Sequence, residues 1–489
     1  MDKVEPLETP IPIVEPQDVI AGVLPATSAP GDVVPERRSA ASAYGSSLLT
    51  TAGILLVTLV SGMLSARMLG VEGRGQLAAI LLWPNAIVTL GSLGIPVAYA
   101  FESARNPDSL PALARNFIWL CLVQSVVLVG AGVFILPLAL GHMGSAVVRD
   151  GLWFSAAYVP LSLFVGYMNA INQGTRDFRR YNAVRIWTPA SFTILLIAGA
   201  IVGARSLAYV VSAFAVSLLV GAAVTMPVLI GILGGSHAAE AKHSRELAWR
   251  TLRYGLRTLI GNLSPFEFMQ IDLLVVVAIV GASGGGLYSV ALSAAGLVRL
   301  IGFSVGLVIL PQIAGETDHA RRCGAYGLAV RMTLWGSALA AAFIGVFAVP
   351  LLRLVYGSPY TGAANLVRVM CFGMVFASVR QVMGDCLRGA GRPGAASFNE
   401  VVGWGAGVLG ALLLVPQLGA LGVAASVSIA FAVTAIFSCI GSVRYGVSIR
   451  DLAVPRRADA RVLLYGIRSL LTRRSGSGPR AAPRRGSDE

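Results

Sequence analysis

The chain has 489 residues, 55% of them hydrophobic and only 13% charged, about half the roughly 25% charge of a soluble domain. Its apolar runs repeatedly reach the ~20 residues that cross a bilayer core, which excludes a water-soluble globule. The net charge of +14 is an arginine surplus outside those runs, with Lys3 and Lys242 the only lysines, and is read as composition bias and headgroup contact, with no nucleic-acid partner.

The first forty residues lack a basic start and a cleavable apolar core, so no signal peptide is expected. Residues 1–43 are read as a disordered cytoplasmic tail. Hydropathy then predicts twelve helices, over 46–69, 76–101, 116–140, 151–172, 181–203, 207–234, 255–280, 287–314, 328–352, 363–387, 395–416 and 419–441. With the amino terminus inside, thirty of the 38 Lys and Arg fall on the cytoplasmic side and five, Arg67, Arg74, Arg149, Arg205 and Arg353, on the other. That asymmetry follows the positive-inside rule and places both termini in the cytoplasm.

A run of small residues closes the first helix, Gly70-Val-Glu-Gly-Arg-Gly75, and returns 211 positions later as Gly281-Ala-Ser-Gly-Gly-Gly286. Gly174 and Gly389, after helices 4 and 10, repeat 215 positions apart. The fold expected is therefore all-α and polytopic, about twelve transmembrane helices in two six-helix bundles related as a parallel repeat, the build of many secondary transporters. The domain boundaries expected are a first bundle over 44–235, a cytoplasmic amphipathic linker over 236–253, a second bundle over 254–445 and a basic, disordered cytoplasmic tail over 446–489.

Catalytic signatures are absent. No G-x-x-x-x-G-K-[ST] or H-E-x-x-H stands in the sequence and no G-x-S-x-G elbow stands out, so a transporter without an ATPase motif is expected rather than an enzyme, with no cofactor. The five cysteines are scattered and the four histidines lack metal-ligand spacing, so no metal is expected either.

Ionisable groups inside the spans carry the functional signal, because a charge at that depth costs ~3 kcal/mol or more unless it faces a polar cavity or a partner. On helix 7, Arg257, Ser264 and Asp272 share a face flanked by Glu267. Helix 8 adds Arg299 within an apolar run. Helix 10 carries Ser378, Gln381, Asp385 and Arg388 as a polar stripe with Arg380 nearby, although Asp385 and Arg388 are also spaced to pair with each other. Helix 1 presents Thr51, Thr58, Ser61 and Ser65 along one side, which suits either a cavity or helix packing. Helix 2, with Pro84, Gly91, Gly94 and Pro96, is expected to be kinked or broken, a natural gate or hinge.

The stretch Ser65-Ala-Arg-Met-Leu-Gly-Val-Glu-Gly-Arg-Gly-Gln-Leu77, followed by Leu-Leu-Trp-Pro84 and Gly91-Ser-Leu-Gly-Ile-Pro96, resembles the first two helices of bacterial polysaccharide flippases. These belong to the multidrug/oligosaccharide/polysaccharide exporter superfamily. Ile271-Asp272, Leu287-Tyr-Ser-Val-Ala-Leu-Ser293 and Leu354-Val-Tyr-Gly357 resemble the second half of the same family. The resemblance covers roughly residues 44–445. It implies two six-helix bundles alternating between inward- and outward-open states in the bacterial cytoplasmic membrane, moving undecaprenyl-pyrophosphate-linked oligosaccharide outward. Arg299, Arg380, Arg257 and Gln381 would then line the substrate cavity, Asp272, Asp385 and Glu267 would serve as coupling or counter-ion groups, and Pro84, Gly94 and Pro96 as gate or hinge. Polysaccharide polymerase and glycosyltransferases are the implied protein partners, and anionic headgroups the partner of the basic tail. The peptidoglycan-precursor branch carries arginine and aspartate inside helix 1, where this chain has uncharged Ser61 to Ser65, which favours the general polysaccharide branch. A cation-coupled multidrug antiporter and a non-transporting scaffold for envelope synthesis are the alternatives.

Overall fold

The computed structural model describes residues 35–175, 177–234, 245–262 and 270–456. Residues 1–34 and 457–489 of the expected tails, half of the expected linker, Arg176, Ser264 and Glu267 lie outside them, as does the side chain of Arg257. Among the described residues every regular element is helical: α1 (Pro35–Gly91), α2 (Ile95–Arg105), α3 (Leu110–Leu140), α4 (Ser145–Gly174), α5 (Phe178–Val202), α6 (Leu207–Leu233), α7 (Arg245–Asn262), α8 (Ile271–Gly315), α9 (His319–Val346), α10 (Ala348–Val355), α11 (Ala364–Gly389), α12 (Pro393–Leu418), α13 (Ala420–Arg444) and α14 (Ile449–Ala453), with short 3-10 turns at Pro107–Ser109, Gly141–Met143 and Ser358–Ala363. Side chains at the starts fix several boundaries. Asp177, Ser206 and Asp318 accept hydrogen bonds from the first free amides of α5, α6 and α9, which would otherwise be unsatisfied.

Ten described helices are long and apolar enough to span a membrane, and the protein is a multi-pass, all-α membrane protein. Two of the ten are hairpins. Helix α8 runs through Gly281 at φ 82°, ψ −173°, and Tyr288 nevertheless donates to Asp272 Oδ2 at 2.8 Å across 16 residues. A straight helix would hold those residues about 24 Å apart, so the chain reverses at Gly281. Helix α1 reverses in the same way at Gly70, φ 68°, ψ −175°, which lets Arg74 reach back to Ser65 Oγ at 3.1 Å. Both glycines sit where an L side chain is disfavoured. The ten helices thus contain twelve legs, as hydropathy indicated. The seventh expected span, 255–280, is interrupted: α7 ends at Asn262 and α8 restarts after Gln270, itself left-handed at φ 47°.

The two hairpin tips meet backbone to backbone. A Cβ on Gly75 would lie 1.6 Å from the Ala282 carbonyl oxygen, and one on Gly286 would lie 2.0 Å from that of Val71. Nearby, Arg67 donates to the carbonyls of Val355 at 2.9 Å and Leu354 at 2.5 Å, and the Tyr360 hydroxyl donates to Ala66 O at 3.0 Å. Around this junction one apolar cluster spans both halves of the chain, including Leu77, Ile80, Val276, Tyr288 and Val367. At the opposite helix ends the core divides. Ile95, Tyr99, Phe117 and Tyr167 cluster with the earlier helices, and Ile313, Tyr326, Val382 and Tyr445 with the later ones. The halves are joined at the hairpin end and separately cored at the other.

The second leg of α1 contains buried Pro84 and stops at Gly91. Leu93 (φ 51°) and Gly94 (φ 67°) then take left-handed conformations, and Pro96 opens α2 in its first turn, where its missing amide costs nothing. The break is braced from two sides. Gln124 Nε2 donates to Gly91 O at 3.0 Å, while its Oε1 accepts from Tyr167 at 2.5 Å. Gly255 of α7 lies so close that a Cβ would sit 2.6 Å from Leu93 O. Helix α7 is fastened to α2 by the Arg250–Glu102 ion pair and by Phe101 stacked on Tyr254 at 4.8 Å.

Gly286→Ala is expected to destabilise the fold by about 1–3 kcal/mol, since backbone at the tip cannot move aside cheaply. Gly130→Ala, with nothing within 4 Å, should leave the thermal unfolding midpoint unchanged. Gln124→Leu strands the Gly91 carbonyl and the Tyr167 hydroxyl and should cost about 1–3 kcal/mol for each, read by denaturant unfolding in micelles.

Candidate functional site

Below the hairpin junction lies a cavity of about 590 Å³. Its walls come from both hairpins, from α4, α6, α11 and α13, and from Tyr356 just after α10. The lining positions repeat. Leu59, Gly62, Ala78, Leu81, Leu82 and Asn85 face the cavity, and so do Gln270, Leu273, Ser289, Leu292, Ser293 and Gly296, each 211 positions on. Later helices contribute Tyr158 and Met374, 216 apart, and Phe214 and Phe431, 217 apart. On the second legs the spacing of four, three and four (74, 78, 81, 85 on α1; 289, 293, 296, 300 on α8) is one helical face.

The charges do not repeat. Among the described residues the lining carries Arg74, Arg299 and Asp272, whose counterparts at the same offset are Gly285, Val88 and Ser61. Asp272 is buried; Oδ2 holds the Tyr288 hydrogen bond, and Oδ1 has no hydrogen-bond partner among the described residues. Arg299 is half-buried on the second leg of α8. Gln270, Ser289, Ser293, Asn85, Thr58, Tyr158 and Tyr356 add amides and hydroxyls to the lining. The chamber therefore presents two guanidinium groups, one carboxyl and a set of neutral donors and acceptors. Chemically it can hold an anion while hydrogen-bonding a polyhydroxylated group.

The other candidate residues fall elsewhere. Arg380 is buried in an ion pair with Glu400 of α12, its guanidinium 4.7 Å from the centre of the Phe431 ring. Phe431 lines the cavity, so Arg380 stands behind the wall. Asp385 accepts from Arg388 Nη1 at 2.8 Å and from Gln381 Nε2 at 3.0 Å, so this stripe satisfies itself along α11 and none of the three is among the lining residues. Arg257 and Glu267 lie outside the described residues. Of the hinge residues, Gly94 and Pro96 form the α1–α2 break, and Pro84 precedes it within α1.

Arg74 was assigned by sequence to an outer turn, among the basic residues that balance topology. The hairpin brings it inside. Four residues past Gly70 it shares the lining face with Ala78, Leu81 and Asn85, and extending that face back through the glycine run would have found it.

A family model described as polysaccharide biosynthesis protein matches residues 41–315. A probable low-salt glycan biosynthesis flippase, Agl15, of Haloferax volcanii is 22% identical over 45% of this chain. The chain spans less than half the length of the curated relatives it matches, 39% and 47%. Among solved structures, an inward-facing multidrug transporter of the MATE family has a TM-score of 0.64 at 16% identity, over 80% of this chain and 94% of its own. The lipid II flippase MurJ in an inward closed conformation has a TM-score of 0.62 at 15% identity, over 87% and 92%. At such identities these two establish the fold alone. The family match covers more than half of the sequence, and the chain belongs to the polysaccharide biosynthesis protein family.

Proposed function

We propose that this protein is a flippase that carries an undecaprenyl-pyrophosphate-linked oligosaccharide across the bacterial cytoplasmic membrane by alternating access. The observation that carries this reading is the net cationic chamber between the two halves, with Arg74 and Arg299 against the single carboxyl of Asp272. A pyrophosphate headgroup crossing bare hydrocarbon faces a desolvation cost of tens of kcal/mol. Guanidinium groups replace its hydration by charge-assisted hydrogen bonds, and the amides and hydroxyls do the same for sugars. The polyprenyl tail needs no such shelter and stays in the bilayer. Family membership and the name of the Haloferax relative support a glycan substrate.

In this reading the hairpin end is the outer gate, and the other end, the cytoplasmic one by charge distribution, is where the substrate enters. The bundles 44–235 and 254–445 rock about the hairpin junction, with 236–253 as the connection and the break after Pro84, at Gly94 and Pro96, as the hinge. Asp272 is the coupling or counter-ion group: ionised, it repels the passing pyrophosphate, so a proton or another cation must accompany the headgroup past it. The basic tail, 446–489, holds anionic headgroups at the cytoplasmic face, where glycosyltransferases supply the substrate and a polymerase consumes it outside. A multidrug antiporter, the main rival, would require a chamber suited to cations, which two arginines oppose.

The test is translocation in proteoliposomes of an undecaprenyl-pyrophosphate-linked sugar, scored by access of an external glycosidase. Arg299→Ala is expected to slow transfer at least about tenfold, the loss of one charge-assisted contact. Asp272→Asn should keep binding and lose dependence on an imposed ion gradient. Gradient-driven efflux of a cationic dye, with no movement of the lipid-linked sugar, would overturn the proposal in favour of the antiporter.

A further inference from the structure

Distances along the hairpin legs order the three charges of the chamber. Both second legs start at the junction, where Gly75 meets Ala282 and Gly286, and run away from it. At 1.5 Å per residue, Arg74 lies about 6 Å from its reversal point, Asp272 about 13 Å and Arg299 about 27 Å. The guanidinium groups thus stand at opposite ends of the chamber, with the carboxyl between them.

Arg74 is held ready. Its Nη1 donates to Ser65 Oγ at 3.1 Å, and Ser65 is in turn tied to Gly62 O at 3.1 Å. Its Nε is buried and makes no hydrogen bond among the described residues, nor does any carboxylate there pair with it. Tyr356, on the segment that Arg67 fastens to the first hairpin, lines the same chamber, and its buried hydroxyl faces Ser293 without a hydrogen bond of full geometry. A half-buried guanidinium whose buried Nε–H has no acceptor among the described residues is costly unless something occupies the space for part of the working cycle. The position says when. Arg74 is adjacent to Gly75, whose backbone contact closes the hairpin end, so parting the hairpins exposes Arg74 to the outer side before any other charge in the chamber.

We propose that Arg74 and Tyr356 form an exit-side anion site that receives the phosphate groups of the lipid headgroup from Arg299 as the hairpins part. The inference rests on the flippase reading and adds to it a second station and a direction. The headgroup first meets Arg299, passes Asp272 once that group is neutralised, and reaches Arg74. There it takes up the open Nε–H and the Tyr356 hydroxyl, and its negative charge favours the outward-open state because both donors are then satisfied.

The experiment places spin labels at Arg205 and Gln417, exposed residues at the hairpin end of each half, in the full chain in nanodiscs. Undecaprenyl pyrophosphate is the probe, with its binding followed separately by native mass spectrometry. In the wild type the probe should bind and lengthen the 205–417 distance. Arg299→Gln should weaken binding at least about tenfold. Arg74→Gln should bind within about threefold of wild type yet cut the long-distance population about tenfold, the worth of one charge-assisted contact. Tyr356→Phe, nearly isosteric, should bind normally and reduce the same population about threefold, and it decides the matter should Arg74→Gln not fold. An undiminished shift in these variants overturns the exit site while leaving the flippase reading intact. An Arg74→Gln protein that folds and no longer binds also overturns it, since Arg74 would then act at entry. An equal shift with inorganic pyrophosphate assigns the site to a soluble anion and overturns the headgroup relay. No binding of undecaprenyl pyrophosphate to the wild type overturns the underlying reading itself.

Discussion

Where Gly75 and Gly286 face each other there is no room for a methyl group: the added carbon would fall 1.6 Å and 2.0 Å from carbonyl oxygens of the opposing hairpin. Two chain reversals, each at a glycine with positive φ, deliver these backbones to the contact. Because both second legs start there and diverge, the polar face of each looks into the space between them. The same contact closes that space at one end, while separate cores hold the two halves at the other. Arg67 and Tyr360 add side-chain hydrogen bonds across the same junction.

The chamber that results has a repeated frame and unrepeated charges. Equivalent positions 211 residues apart supply most of its lining, whereas Arg74, Arg299 and Asp272 face glycine, valine and serine at theirs. The repeated frame presents matched faces of the two halves to one space. The unrepeated charges leave the lining net cationic, which favours an anionic ligand. The fold itself does not choose: transporters of drugs and of lipid II share it, so the reading of function rests on the residues of the site.

Much of this was legible in the sequence, and the failures have physical causes. Hydropathy located the legs that cross unbroken because each needs about twenty apolar residues, it missed the break at Gln270 before the short first leg of α8, and the glycine runs located both hairpins. Asp272 and Arg299 were found because isolated charges in apolar runs are conspicuous. Arg74 was not, since linear reading assigns a residue in a glycine turn to the water side, and only the close hairpin junction draws it inward. Arg380 failed for the opposite reason. Its partner Glu400 lies 20 positions away on the next helix, and nothing local in the sequence announces the pairing. The Asp385–Arg388 spacing did announce a pair, which formed. The left-handed Leu93 and the brace from Gln124 depend on contacts between distant helices and leave no local signal.

The central claim is that the chamber recognises a negatively charged headgroup on a lipid. Its most direct test compares the affinities of the protein in nanodiscs for undecaprenyl pyrophosphate and for undecaprenol, which share a tail and differ in the phosphates. The protein should prefer the pyrophosphate at least about a hundredfold, equivalent to roughly 2.7 kcal/mol, with the preference diminishing as Arg299 is neutralised. Equal affinity for the two lipids would contradict it.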